Sequence, residues 1–392
     1  MLAAWILAKI LDLPGFATVA ARACAILLLL CAIPARADDS VFAVSRIQVD
    51  ETASSATEAR ELALTAGHRH AWERLIRRLV PLRDQASAPA LSATRIAELV
   101  SGFEVVEEKA SNVRYLAELR MDFAPDAVRR LLRDSGVPFA ETSSKTVVVL
   151  PVMRRAGAVL LWDAVNGWLA AWQGLPPADG LVPMVVPKGE LADIADIGPE
   201  QALAGDEARI GAIARRYGAA DGLLAYAALA PRGDGGASVQ VTISRLGAGT
   251  RGRTLVRAFD STEGEDEAAL LARAAAEIRL QVEESWKRDN ILRFDDRRTL
   301  VAIAPLTDAS AWVALRRRVD EVAFIERSEI LALSRRQATL RLSYIGDEEQ
   351  LALALAQHDL TLARGPTSWE IRLRGAGGDT APVPMPAPAE IR

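Results

Sequence analysis

The sequence predicts a mixed α+β and α/β chain of three sequential modules, the last ferredoxin-like with the order β-α-β-β-α-β. Three observations predict it. The chain has 392 residues, half of them apolar, which is material for two or three cores. Segments of period two alternate with segments of period 3.6 across most of its length. The order of those segments changes between three successive blocks, 38–140, 145–290 and 298–374.

The first block reads β-α-α-β-β-α. "VFAVSRIQV" alternates and is a strand. "SSATE" opens a helix, with Ser55 and Glu58 at capping-box spacing. Leu62, Ala66, Trp72, Ile76, Leu79 and Val80 share one face of it, and Pro81 ends it. "LSATRIAELV" is a shorter helix. "FEVVEEKA" and "VRYLAELRMDF" form an antiparallel pair joined at Ser111-Asn112. "PDAVRRLLRDSG" is a helix between Pro125 and Gly136.

In the second block "KTVVVLPV" is a nearly continuous apolar strand, the pattern of a sheet covered on both faces. A helix with Trp162, Trp168 and Trp172 follows, then a strand over "LVPMVVP". "GELADIADI" and "DEARIGAIARRYG" are helical. "ADGLLAYAALA", "ASVQVTISRL" and "RTLVRAF" are strands, and an amphipathic helix from about Glu265 to Arg288 closes the block. The third block runs from the strand "TLVAIAPL" through the helix "SAWVALRRRVD" to paired strands "VAFIERSEILALS" and "QATLRLSYI". The helix "DEEQLALALAQHD" and the strand "SWEIRLR" complete it. Residues 375–392, with four alternating prolines, read as an extended, disordered tail.

Ahead of these blocks, residues 1–37 have the parts of a cleavable secretory signal. Arg22 is the positive charge, Ala23 to Ile33 the apolar run, and Ala35-Arg36-Ala37 the small-x-small site before Asp38. The run is about half the length of a spanning helix, so the mature chain is expected to have no transmembrane span. An uncleaved leader serving as an anchor is the alternative. Cys31 follows Leu-Leu-Leu rather than small residues, which argues against lipidation. Met1 to Thr18 is long for such a signal, and Val19 is a candidate start. The expected location is the periplasm.

Losing Lys9, Arg22, Arg36 and Asp12 with the leader takes the formal net charge from −4 to −6. The mature chain is mildly acidic with mixed charges, which excludes the concentrated positive field of a nucleic-acid binder. Cys24 and Cys31 both lie in the leader, so the mature chain has no thiol. Disulfides, thiolate metal sites and cysteine nucleophiles are thereby excluded.

Other chemistries fail on context. Gly247-Ala-Gly249-Thr-Arg-Gly252 has dinucleotide-fingerprint spacing, but β-forming residues follow it where a helix N-terminus is required. It reads as a hairpin. His68 and His70 are about 200° apart on a helix and cannot share an ion; His358 stands near a helix end. No metal site and no cofactor is expected. No G-x-S-x-G elbow occurs. Arg215-Arg216 and Arg316-Arg317-Arg318 read as solvated faces, with anionic headgroups a lesser alternative. Glu190, Asp193, Asp196 and Glu200 form the densest acidic patch, and Glu190 and Asp193 share a helix face that would hold a cation. Helix capping is the ordinary role of such residues, and Asp206 holds a capping position. On a helical wheel Trp168, Trp172 and Val165 fall within an apolar stripe, with Trp162 at its border and Asn166 off it. Trp162 and Asn166 are therefore the candidate ligand or partner contacts, although packing is the commoner fate of tryptophan.

The leader, "VVVLPVM", "WDAVNGWLAAW" and "LSYIGDEEQLALAL" together resemble the proteobacterial envelope family called domain of unknown function 2066. The middle block is also similar to the strand-helix-strand domains at the amino end of envelope proteins such as TolB. The resemblance implies an envelope location and transfers no catalytic residue. The expected function is non-catalytic binding of another envelope component, most readily a protein. The alternatives are an enzyme using the 190–206 carboxylates and a small-ligand sensor using the middle block.

Overall fold

The computed structural model describes residues 41–233, 235–246, 254–292, 296–365 and 368–374, which form a mixed α+β structure with three sheets. The expected leader, the glycine-rich hairpin at Gly247–Gly252 and the tail at 375–392 lie outside the described residues.

The first sheet is built from β1 (Ala43–Thr52), β2 (Val100–Ala110) and β3 (Arg114–Phe123), in the antiparallel order β1-β3-β2. Between β1 and β2 come α1 (Ala56–Leu79), a 3-10 turn (Leu82–Ser87) and α2 (Ala93–Ala97); α3 (Pro125–Asp134) follows β3. Ser55 Oγ caps α1 by accepting from Glu58 N, while the Glu58 carboxylate reaches back to Ser54 N rather than Ser55 N. Alternate residues of β3 are buried: Tyr115, Ala117, Leu119, Met121 and Phe123. Against them α1 turns a stripe of small residues, Ala59, Ala63, Gly67 and Ala71, and leaves Leu62 45% exposed. Trp72, Ile76, Leu79 and Val80 of the expected face are buried, Leu62 and Ala66 are not, and proximity explains the difference. A Cβ on Gly67 would stand 2.7 Å from Leu119 Cδ1, so the helix sits too close for large side chains.

The second sheet has the order β5-β4-β7-β8-β9. Its strands are β4 (Val147–Arg155), β5 (Ala158–Leu160), β6 (Met184–Val185), β7 (Asp221–Pro231), β8 (Ala237–Leu246) and β9 (Thr254–Asp260). β4 runs parallel to β7 and to the short β6; the remaining pairs are antiparallel. One face packs on α4 (Gly167–Gln173) and α8 (Glu267–Asp289) through Val147, Val149 and Met153. The other packs on α6 (Pro199–Ala204) and α7 (Glu207–Arg216) through Val148, Leu150 and Val152, with α5 (Leu191–Asp196) preceding them. That two-sided burial is why β4 is apolar from Val147 to Met153. The strand expected over "LVPMVVP" shrinks to two residues because Pro183 and Pro187 have no N–H for a ladder.

The tryptophan segment departs further from expectation. Ala156 and Gly157, at φ 48° and 85°, make a two-residue hairpin, so residues 158–160 form β5 rather than helix. The helix begins only at Gly167, with Asn166 as its N-cap. Trp162 therefore lies before the helix, and Val165, placed on the apolar stripe, is 70% exposed.

The third sheet contains β10 (Arg297–Pro305), β11 (Ile325–Leu333), β12 (Gln337–Ile345), β13 (Leu360–Arg364) and β14 (Trp369–Leu373), ordered β11-β12-β10-β14-β13. Helices α9 (Ala309–Asp320) and α10 (Glu348–Gln357) connect them. The expected β-α-β-β-α-β order needs correction at its end. Asp359, at φ 54°, turns the chain directly out of α10, and "LTLAR" forms an additional strand. Its hairpin with β14 reverses the chain once more, so β14 meets β10 in parallel.

The connection from the first sheet to the second is buried. Phe139, Ala140, Glu141, Thr142 and Ser144 are each less than 5% exposed. Ala140 N donates to Leu79 O, Trp286 Nε1 donates to Thr142 O at 2.7 Å, and Ser144 N donates to Leu181 O. Arg129 holds the Glu141 carboxylate at 2.9 Å, while burial pushes that carboxyl above its ordinary range. Lys145 and Asp359 form an ion pair across to the third sheet.

Candidate functional site

The three tryptophans do not form one surface. Trp168 and Trp172 are buried with α8 on one face of the second sheet, edge to face at 5.8 Å. Trp162 packs on the opposite face, where its Nε1 donates to Ile197 O at 2.7 Å. Trp168 Nε1 donates to Ala225 O at 2.8 Å. Trp172 Nε1 is buried without a hydrogen-bond partner among the described residues.

Asn166 is 2% exposed and fully engaged. Its Nδ2 donates to Pro151 O and Leu161 O at 3.0 and 2.8 Å, and its Oδ1 accepts from Trp168 N and Leu169 N. This amide ties β4, the turn at 161 and α4 together, which leaves no donor for a ligand.

The acidic patch also divides into separate roles. Glu190 is exposed. Asp193 is buried and accepts from Gly189 N, Glu190 N and the Tyr217 hydroxyl at 2.9–3.0 Å. Burial first, then Asp193, raises the Tyr217 phenol above its ordinary range. Asp196 pairs with Arg216 at 2.6 Å, which holds its carboxyl below the usual value. Glu200 is exposed in the first turn of α6, and Asp206 caps α7 through Ala208 N and Arg209 N. Each of these side chains keeps its own partner or stands exposed, and no hydrogen bond joins two of the carboxylates among the described residues. Among the described residues no group of three His, Cys, Asp or Glu is placed to hold a metal ion. His68 stacks on Phe103 at 6.4 Å, and His358 approaches Glu321 at 3.6 Å while burial lowers its pKa.

Two concavities border residues 174–183, and neither was anticipated. One, of about 290 Å³, is lined by Arg74, Arg77 and Arg78 from α1, Asp179 and Gly180, and Glu283 and Lys287 from α8. Arg78 is 7% exposed and donates to Val41 O, Ala43 O, Asp179 O and the Asp179 carboxylate. Arg74 donates to the same carboxylate at 2.9 Å and to Arg46 O. Glu283 accepts from Leu181 N and Val182 N. Burial outweighs those donors and raises its pKa to about 7. A Cβ on Gly180 would fall 2.3 Å from that carboxylate, so any larger residue there would displace Glu283. Lys287 Nζ donates to Arg77 O and Val80 O, capping the C-terminus of α1.

The other concavity, about 400 Å³, lies at the β6 edge of the second sheet. Trp172, Leu175, Met184 and Val186 give it apolar walls, and Pro176 and Pro177 stiffen one side. Its charges are Lys188 and Arg279; no Asp or Glu lines it. The signal in the sequence was the i, i+4 ladder Leu271, Ala275, Arg279, Glu283, Lys287, where a buried apolar stripe turns charged.

At the opposite end of the chain β11 is a sheet edge, paired only with β12 among the described residues. Ile330, Leu331 and Leu333 on it are 43–53% exposed. Leu331 sits at a register shift and is left without a partner residue on β12. Arg327, Glu329 and Arg341 border the strip with ion pairs at 3.3 Å. No helix among the described residues is long and apolar enough to cross a membrane. In comparisons with known proteins, no family model, no curated protein and no solved structure matches the chain.

Proposed function

We propose that this chain is an exported, non-catalytic binding protein of the cell envelope that engages a protein partner along β11. The observation that carries this reading is the apolar strip of Ile330, Leu331 and Leu333 on an open sheet edge. An apolar centre within a charged rim is the ordinary anatomy of a protein contact. The register shift at Leu331 favours side-chain packing over a regular added strand. On this reading the third sheet is a ferredoxin-like unit whose strand after the second helix, β13, lies at the edge far from the partner, with the added strand β14 inserted between it and β10.

Export rests on the leader motif before Asp38 and on the confinement of both cysteines to it. The resemblance to the domain of unknown function 2066 family agrees with that location. The engagement of Asp193 by backbone amides and Tyr217, and of Asp196 by Arg216, weighs against the enzymatic alternative.

A photo-activated crosslinking residue placed at Leu331 in intact cells tests the reading. The expected result is one adduct of defined mass from a mature chain beginning at Asp38. A crosslinker at Leu191, 86% exposed on α5, should give none. Equal labelling at both positions, or no adduct at Leu331, would overturn the proposal.

A further inference from the structure

Arg279 is a partly buried cation without a carboxylate partner. Its one hydrogen bond runs from Nη1 to Pro176 O at 2.5 Å, and no carboxylate oxygen lies within 4 Å among the described residues. The nearest acidic side chain along its ladder, Glu283, is turned to the amides of 181 and 182. Burial pulls the guanidinium below its usual range and outweighs the opposing charge of Glu283, which makes no ion pair with it. Buried charges in proteins are ordinarily paired. Across the cleft, the Lys188 ammonium reaches Glu190 at 4.0 Å, with both side chains well exposed.

We infer that the cleft between α4, β6 and α8 binds a small amphipathic anion, a free monocarboxylate with an apolar body. The carboxylate pairs with Arg279, with Lys188 closing from the solvent side. The body lies on Trp172, Leu175, Met184 and Val186. Charge complementarity selects the anion, because the lining holds two cations and no acid. The apolar walls select the body, and about 400 Å³ suits a small molecule rather than a peptide. This site is separate from the β11 strip and does not depend on it.

Calorimetric titration of the chain, purified from the cells that make it, with sodium octanoate tests the inference. Saturable binding with a Kd of about 0.1–1 mM is expected for a ligand of this size. Sodium acetate supplies the charge without the body, and 1-octanol the body without the charge. Each should bind about tenfold more weakly or worse. Arg279→Gln should lose about tenfold in octanoate affinity, and Lys188→Gln about threefold because it is exposed. Met184→Glu brings a like charge into the cleft and should abolish binding; it serves as the second variant if Arg279→Gln fails to fold. Absence of saturable octanoate binding would overturn the proposal, as would equal affinity for octanol or unchanged affinity in Arg279→Gln. Sedimentation with phosphatidylglycerol vesicles that octanoate cannot reverse would also overturn it, assigning the anion to a lipid headgroup.

Discussion

The concavities on either side of residues 174–183 are built from the same helix, yet their charges are used differently. In the smaller one Arg74, Arg78 and Asp179 form a closed set, and Glu283 and Lys287 spend their capacity on the backbone of 181–182 and of α1. In the larger one, a single turn back along α8, Arg279 meets one carbonyl. The first arrangement holds elements together; the second leaves Arg279 with no carboxylate bonded to it among the described residues. Residue type does not separate structure from function here. Completeness of pairing does.

Four measurements sharpen or break that contrast. The largest effect is expected from Trp168→Ala, which removes a fully buried ring and the support against which Trp172 leans. It should cost about 3–5 kcal/mol in urea unfolding, with Trp162→Ala costing less, and octanoate binding should fall with it. Next comes the pH response of Glu283. Its folded carboxyl keeps a proton to about pH 7, against 4.5 for the ordinary group, so folding takes up a proton between those values. Stability is full below about pH 4.5 and falls by about 3 kcal/mol as pH rises through 7. Glu283→Gln, which keeps an acceptor for both amides, should flatten that slope; an unchanged slope would place the titration elsewhere. Asp179→Ala strips Arg78 of its counter-charge while leaving its three backbone acceptors, and should cost about 2 kcal/mol. The smallest effect belongs to Arg279→Gln, which should shift stability by no more than about 0.5 kcal/mol because no internal pair is broken. A loss near that of Asp179→Ala would erase the distinction between the two concavities.

Much of the architecture was legible. The unbroken apolar run of β4, the caps at Ser55 and Asp206, and the proline at the start of α3 each express a local rule, and each element stands where that rule puts it. The misses share a cause in contacts made far along the chain. Nothing near Gly67 announces that Leu119 will stand 2.7 Å from its absent Cβ. Asn166 is an ordinary polar residue until β4 and the turn at 161 present it with carbonyls. Trp162 was misplaced for a local reason, since Ala156-Gly157 is a hairpin signal whose two positive φ angles stop the helix from extending back. The candidate site was least legible. Arg279 is set apart by standing half-buried in a cleft with no carboxylate bonded to it among the described residues, and that setting is a fact of tertiary structure.

The buried connection between the first two sheets has a practical consequence. A clone divided after residue 140 would strip Phe139 O of its donor, Leu292 N, and part the buried Glu141 carboxylate from Arg129. One half would keep the C-terminal end of α1 without Lys287 to finish it; the other would keep that lysine with nothing to cap. Neither half is a natural unit of expression, and any gene rearrangement that reuses these parts would have to carry them together.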